Sequence, residues 1–117
     1  MVIRGIDVIQ MSEIKVLRPT LPEGSRWMEL LRPSVESKAL KVGYVRLRPG
    51  EHIGEHNTGE REEVIYVVRG RGCLIAEDGR HPIEAGAVAY VPPNMRHDVE
   101  NGGEEVLEYY YLTAPAP

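Results

Sequence analysis

The sequence has 117 residues, 42% of them hydrophobic and 27% charged, with a formal net charge of −4. This length suits one domain with a modest core. The Lys and Arg residues are scattered, which argues against a nucleic-acid surface or a patch for anionic membranes. Arg4 and Asp7 argue against a signal peptide, and no stretch approaches the roughly 18 apolar residues of a membrane span. We therefore expect a cytoplasmic protein without nucleic-acid or membrane partners.

Short strands separated by turns dominate the chain. The two helical candidates lie near the N-terminus, at residues 12–15 and at Trp27–Leu31, where Ser25 would be the cap. Runs rich in β-branched and aromatic residues then predict strands at 42–48, 63–68, 72–76, 87–91 and 106–112. The EDG sequence at 77–79 predicts a hairpin turn, because an Asp-Gly pair accepts positive φ angles. This spacing of strands predicts an all-β sandwich or barrel.

We expect a single domain in three parts. Residues 1–40 would form an N-terminal strand and arm, and residues 41–112 would form the barrel. Residues 113–117 would be a flexible tail, since the terminal TAPAP should fray.

The predicted strand at 63–68 is apolar on both faces. Side chains alternate along a strand, so Glu63, Ile65 and Val67 share one face and the residues between them share the other. Such a strand must be covered on both sides. One face would line the barrel, and the other would pack on a second sheet, an N-terminal segment or another subunit. We prefer the last arrangement and expect a homodimer.

One histidine and one glutamate lie at characteristic distances between two glycines. From Gly50 the chain reaches His56 after five residues, and Glu63 lies seven residues beyond that histidine. Six residues then separate Glu63 from Gly70. Imidazole nitrogen and carboxylate oxygen are ligands for borderline divalent metals, so this segment is a candidate for metal binding.

A second spaced segment follows after a gap of fifteen residues. The residues that define this segment by their spacing are Gly86, Pro92, Asn94, His97 and Asn101. The two segments resemble the paired motifs of the cupin superfamily, and the resemblance covers residues 42–112. Asn94 stands where that family usually has glycine, a mild change because Asn tolerates left-handed backbone better than most residues.

The resemblance implies a small jelly-roll β-barrel with a metal site inside it. His56, Glu63 and His97 would point into the barrel and hold one divalent ion, with Fe, Mn, Ni and Zn all open. Two histidines and one carboxylate leave positions free for substrate, water or oxygen. Two plainer interpretations stay open: His56 as a polar residue at the barrel mouth, and Glu63 partnered by a histidine alone.

The chain departs from the family pattern at one ligand position. The second histidine of the first motif would fall at Thr58, and a hydroxyl is a weak ligand beside an imidazole. Thr58 could instead bond a metal-bound water or a substrate, or simply belong to a turn. His52 is a possible replacement, but it lies four residues before His56, about 13 Å away in an extended strand. Only a bend or bulge would bring both to one ion.

Three further residues are weaker candidates. Tyr109 and Tyr111 share a strand face and would either line the pocket with hydroxyls or belong to the core. Arg96 could attract an anionic substrate to the mouth or be an ordinary surface residue. We expect no role for His81, and we expect Arg61 to lie among solvent-facing glutamates.

Three functions stay open. The first is a metalloenzyme that acts on a small oxygenated molecule as a dioxygenase or as a Lewis-acid isomerase. The second is a binding or sensor module that holds a small molecule without chemistry, at a degenerate metal site. The third is a structural dimer with vestigial histidines. The fold alone does not choose among them.

Overall fold

A computed structural model describes residues 12–117 of the protein. Within them lie eight strands: β1 (Trp27–Leu31), β2 (Lys41–Leu47), β3 (Arg61–Arg69), β4 (Arg71–Ala76), β5 (Gly79–Glu84), β6 (Val88–Val91), β7 (His97–Glu100) and β8 (Leu107–Pro115). One sheet of this region has the order β1-β2-β8-β3-β6, and the other has the order β5-β4-β7. All pairs between these strands are antiparallel. The predicted all-β jelly-roll barrel is therefore confirmed.

The core lies between the two sheets. The larger sheet contributes buried side chains such as Val45, Ile65 and Leu107, and the smaller sheet contributes Leu74 and Val99. These side chains come from one face of each strand, as expected where two sheets pack face to face.

Strand β3 shows the predicted alternation. Glu63, Ile65 and Val67 are buried on the inner face, with 4%, 1% and 0% of their surface exposed. On the outer face, Tyr66 and Val68 are exposed. The second sheet thus covers the inner face of β3, and the outer face is open to solvent in the single chain.

The helical prediction at Trp27–Leu31 is wrong, because this segment is strand β1. It pairs antiparallel with β2, and its register shifts between Glu29 and Leu31. Pairing with a neighbouring strand outweighs the weak helical preference of such a short segment.

The chain is also irregular from Glu13 to Lys15, and residues 1–11 lie outside the described part. No helix among residues 12–117 has the length and apolar character that crossing a membrane requires.

The prediction of a flexible tail is wrong for its first three residues. Strand β8 continues to Pro115, and Thr113 is buried between Lys41 of β2 and Glu63 of β3. Strands β5 and β7 also exist where the sequence analysis predicted none. Both are held by pairing with β4. The expectation of a single domain for the whole chain stays a prediction.

Two turns follow from local residue chemistry. The hairpin turn predicted at 77–79 is present, with two residues between the paired Ala76 and Gly79. Gly79 has a positive φ of 131°, whereas Asp78 does not have the positive φ that was expected of it. Asn94 has a φ of 62°, the left-handed conformation that asparagine tolerates. This turn leads directly into β7, so Asn94 helps to place His97.

Candidate metal centre

The three predicted ligands come from segments that the fold brings together. Glu63 lies near the start of β3, and His97 is the first residue of β7. His56 lies in the loop before β3, where its backbone makes two hydrogen bonds with His97, His56 N to His97 O and His97 N to His56 O, each 2.9 Å. This isolated bridge holds the loop against β7, so the two histidine side chains lie side by side.

The ligand atoms of His56, Glu63 and His97 all lie within 4.8 Å of one another. His97 and Glu63 are buried, whereas His56 is exposed at the mouth. Typical bonds from zinc to nitrogen or oxygen are about 2.0–2.2 Å, so a small side-chain movement would bring all three atoms to one ion. The structure thus groups the three residues that the sequence analysis selected.

Backbone carbonyls orient both imidazoles. Nδ1 of His56 lies 2.8 Å from the carbonyl oxygen of Gly54, and Nδ1 of His97 lies 2.9 Å from that of Met95. Each Nδ1–H donates to its carbonyl, which leaves Nε2 of both rings to face the site. Metal-binding histidines commonly have this arrangement, because the outer hydrogen bond fixes the tautomer and the ring orientation.

A buried hydrogen bond joins the side chains of His97 and Glu63. Nε2 of His97 lies 2.7 Å from Oε1 of Glu63. Since Nδ1 already donates its hydrogen to Met95, this contact needs a second proton on the pair. Burial disfavours the charged imidazolium, but the hydrogen bonds to Glu63 and Met95 outweigh burial, so the pKa of His97 is raised above its ordinary 6.5. A divalent cation can replace this proton, and the donor set therefore fits a metal ion.

His52 lies apart from the group. Its Nδ1 is 3.0 Å from Oδ2 of Asp98, and its side chain is exposed. Oδ1 of Asp98 accepts hydrogen bonds from the backbone N–H of Gly54 at 2.9 Å and of Val99 at 2.8 Å. Because the carbonyl of Gly54 in turn accepts the Nδ1–H of His56, Asp98 fixes the loop that orients this candidate ligand.

We expect Asp98→Ala to weaken metal binding about 10–100-fold, the usual effect of losing a residue that orients a ligand. The mutation frees the Gly54 amide and thereby loosens His56. His52→Ala is the matched control, because it removes the side-chain partner of Asp98 and should leave metal affinity nearly unchanged. Zinc titrations of both variants measure the difference. Equal effects would contradict a positioning role for Asp98, and a large loss in His52→Ala would make His52 a ligand.

Thr58 supplies no nitrogen ligand. Its hydroxyl donates to the carbonyl of Arg61 at 3.0 Å, as expected of a turn residue, although the side chain also lines the cavity. The potential ligand group found among residues 12–117 is therefore two histidines and one carboxylate. His81 pairs with Asp78 on the exposed hairpin. Arg96 is exposed and does not line the cavity.

A cavity of about 320 Å³ opens beside the histidines. Tyr109 and Tyr111 line it, as one of the two interpretations predicted. Burial raises the pKa of Tyr111 to about 12 and that of Tyr109 well above its usual 10, so both hydroxyls stay protonated. The wall also contains residues that the sequence analysis did not select: Trp27, Lys41, Arg61 and Thr113. A usable signal existed for Arg61, which is two residues from Glu63 on the same strand face.

Comparisons with known proteins agree with this architecture. Residues 43–113 match the Cupin domain family model. The polyketide synthase protein CurC of Streptomyces cyaneus is 33% identical over 107 residues, which cover 90% of this chain and 70% of that protein. The oxalate-binding protein of Thermotoga maritima is 29% identical over 80 residues, which cover 68% of this chain and 66% of that protein.

A solved structure gives the same result. The crystal structure of a Cupin 2 conserved barrel domain protein from Salinispora arenicola matches with a TM-score of 0.71 and 27% identity, covering 89% of this chain and 92% of that one. With the family model, the paired motifs and the antiparallel barrel in agreement, the chain belongs to the cupin family.

Proposed function

We propose that the protein is a metal-dependent enzyme, of dioxygenase or isomerase type, that acts on a small oxygenated molecule. One divalent ion, Fe, Mn, Ni or Zn, would be held by His56, Glu63 and His97. The supporting observation is that the ligand atoms of these residues lie within 4.8 Å of one another. Their side chains line a cavity of about 320 Å³, near the lower end of the range for small-molecule sites. The oxalate named for one relative is a molecule of this class.

The protein side chains define what the site does. A bound divalent ion would polarise a substrate oxygen as a Lewis acid or, if redox-active, support chemistry with dioxygen. The Gly54 and Met95 carbonyls keep the histidine Nε2 atoms directed at the site. The protonated Tyr109 and Tyr111 hydroxyls can donate to a substrate oxygen. Glu63 and His97 come from opposite sheets and are both buried, which strengthens their electrostatic interactions.

Metal-dependent turnover tests the enzyme proposal. The full chain is loaded with Fe(II), Mn(II), Ni(II) or Zn(II) and mixed with oxalate, simple 2-oxo acids or aldoses. Dioxygen uptake reports oxygenase chemistry, and proton NMR reports isomerisation. We expect turnover with one metal and its loss in Glu63→Gln. Metal binding without turnover on any of these substrates would favour the alternative below.

The alternative is a non-catalytic small-molecule binding or sensor module with a degenerate metal site, which holds its ligand with or without metal. It is favoured by the completeness of the hydrogen bonding without an ion. Glu63 and His97 satisfy each other, and among residues 12–117 no buried side-chain nitrogen or oxygen lacks a partner. Failure of the full chain to bind any of the four metals would select this function.

Metal affinity should fall as the pH falls. Nε2 of His97 must lose its proton before it can bind an ion, and the pKa of His97 is raised above 6.5. Above the raised pKa the proton is absent and affinity is highest. Below it, affinity should fall about tenfold per pH unit for this one proton. Zinc titrations at a series of pH values locate the onset, and an onset below pH 6.5 would contradict the assignment of His97 as a ligand with a raised pKa.

We also propose that the outer face of the larger sheet forms a homodimer interface. This face carries exposed apolar residues on three adjacent strands: Tyr66, Val68, Val88, Tyr90 and Leu112. The register places Val88 beside Tyr66, and Tyr90 beside Val64, so they form one patch. Contiguous apolar surface of this kind is typical of an interface. The cytoplasmic location and the absence of nucleic-acid and membrane partners stay predictions.

We expect light scattering to give the mass of a dimer for the wild-type protein and of a monomer for Val88→Lys. A lysine at Val88, which is 67% exposed in the single chain, would bury an unpaired charge in the interface. Leu40→Lys is the control, since Leu40 is also exposed but lies outside this patch. A monomeric wild-type protein at micromolar concentration would contradict the dimer.

A further inference from the structure

The strand register places a lysine on the cavity wall beside the candidate metal site. Thr113 of β8 lies directly opposite Lys41 of β2 on one side and Glu63 of β3 on the other. Directly opposed residues of antiparallel strands project to the same face, so these three side chains form a row across the inner face. Arg61 lies on the same face, two residues before Glu63. Lys41 and Arg61 therefore flank the acid from two directions.

Among residues 12–117, no acidic side chain forms an ion pair with either of these positive residues. The Lys41 side chain makes no hydrogen bond or ion pair with any residue of the segment 12–117, although the residue is half-buried. Arg61 donates from Nε to the Thr113 hydroxyl at 2.8 Å, and from Nη2 to the carbonyls of Ala39 at 2.7 Å and of Thr113 at 3.0 Å. These bonds hold the guanidinium against the wall and leave Nη1 free to donate.

The deeper wall adds two further hydroxyl donors. Tyr109 lines the cavity, and its hydroxyl, which is not sealed from solvent, has no hydrogen-bond partner among the residues that the structure describes. The ring of Tyr111 lies over Gly43, where a Cβ atom would overlap it, so this glycine makes room for the second hydroxyl. Because both pKa values are raised, each tyrosine acts as a neutral donor.

Acceptors are scarce on the same wall. Glu63 is occupied by His97 or, when metal is bound, by the ion. Glu55 is the other acid that lines the cavity, and it is exposed at the mouth. Ammonium, guanidinium and phenol groups all donate hydrogen bonds. Their ligand must therefore be rich in acceptors and negatively charged.

We propose that the cavity binds a small carboxylate that carries a second oxygen, such as a keto or hydroxyl group. The carboxylate binds Lys41 and Arg61, and the second oxygen faces the tyrosine hydroxyls and the histidines. This assignment rests on the proposed function, because it names the ligand class of the same site. A carboxylate suits the wall better than a phosphate, since Arg61 has only Nη1 left and the cavity is small.

Trp27 provides a direct measurement of ligand binding. It is the only tryptophan of the sequence and it lines the cavity, so its fluorescence reports occupancy. The probes are pyruvate, its uncharged amide pyruvamide, and inorganic phosphate, each titrated to millimolar concentration into metal-free and zinc-loaded full-length protein. We expect saturable binding of pyruvate and at least about tenfold weaker binding of pyruvamide and phosphate, because charge-assisted hydrogen bonds are lost or poorly matched.

Variants of Lys41 test whether it recognises the charge. Lys41→Met should weaken pyruvate binding about tenfold and leave zinc affinity and the unfolding midpoint unchanged, and Lys41→Arg should restore most of the affinity. Lys38→Met, at an exposed lysine outside the cavity wall, should change nothing. If Lys41→Met fails to fold, the preference of the wild-type protein for pyruvate over pyruvamide tests whether the cavity recognises the carboxylate charge.

The outcomes separate this inference from the proposed function. Absence of zinc binding with a retained preference for pyruvate would overturn the metal site and support the carboxylate wall. Zinc binding with equal affinity for pyruvate and pyruvamide, or with no saturable binding of either, would overturn the carboxylate wall alone. Tighter binding of phosphate than of pyruvate would also overturn it, in favour of a phosphorylated ligand.

Discussion

His97→Ala should abolish stoichiometric metal binding. The mutation removes one of three ligands, and the remaining pair of His56 and Glu63 cannot hold an ion in fixed geometry. We expect a loss greater than the roughly 10–100-fold caused by removing an orienting residue. It also leaves the Glu63 carboxylate buried at 4% exposure without its partner, which should destabilise the protein by about 3–5 kcal/mol. Zinc titration and urea unfolding measure the two effects.

Glu63→Gln separates loss of metal from loss of fold. The glutamine amide can donate to the neutral Nε2 of His97, so the buried hydrogen bond survives without the carboxylate charge. We expect this variant to fold and to lose metal. His81→Ala is the matched control, because His81 is exposed and pairs with Asp78 on the hairpin. Retention of about one equivalent of metal by His97→Ala or Glu63→Gln would remove that residue from the ligand set.

Gly70→Ala should cause the largest loss of stability of any single glycine substitution in the two motifs. Gly70 has a φ of 81°, which L-amino acids with a Cβ rarely adopt, and a methyl group there would overlap the carbonyl oxygen of Val106. Backbone strain and steric overlap each cost about 1–3 kcal/mol, so we expect a total of about 2–6 kcal/mol. This is a large part of the stability of a small domain. Urea unfolding of the metal-free protein measures it.

Gly86→Ala distinguishes the free-energy cost of backbone strain from that of steric overlap. Gly86 has a φ of 93°, but nothing lies within 4 Å of the position that its Cβ would occupy. Its substitution should therefore cost only the backbone strain, about 1–3 kcal/mol. Equal losses in the two variants would show that the contact with Val106 does not matter. Motif spacing alone gives no reason to separate these two glycines, whereas their surroundings do.

Strand content was predictable where the residues carry the signal themselves. Alternation in β3 fixes which side of Glu63, Ile65 and Val67 is buried, and the hairpin at 77–79 depends on its own glycine. Strand β1 and the end of β8 were mispredicted because their structure comes from pairing with distant partners. Thr113 is ordered by Lys41 and Glu63, which are 72 and 50 positions away in the sequence. The local strand preferences of the residues do not reflect such distant contacts.

The residues of the candidate site were likewise predictable only in part. The motif spacing selected His56, Glu63 and His97, and the structure brings them together. The spacing did not identify Asp98 as the group that fixes the His56 loop, because that role depends on a hydrogen bond from Gly54, which is far away in the sequence and lies beside β7 only in the folded chain. Lys41 was also missed, since its position opposite Thr113 exists only once the strands pair.

The central claim is that His56, Glu63 and His97 hold one divalent ion. Elemental analysis of untagged protein that has met neither a chelator nor a nickel column tests it most directly, followed by zinc titration of any metal-free fraction. We expect about one equivalent of Fe, Mn, Ni or Zn per chain, and none in Glu63→Gln. Absence of metal from the purified protein, together with failure to bind any of the four ions on titration, would contradict the metal centre.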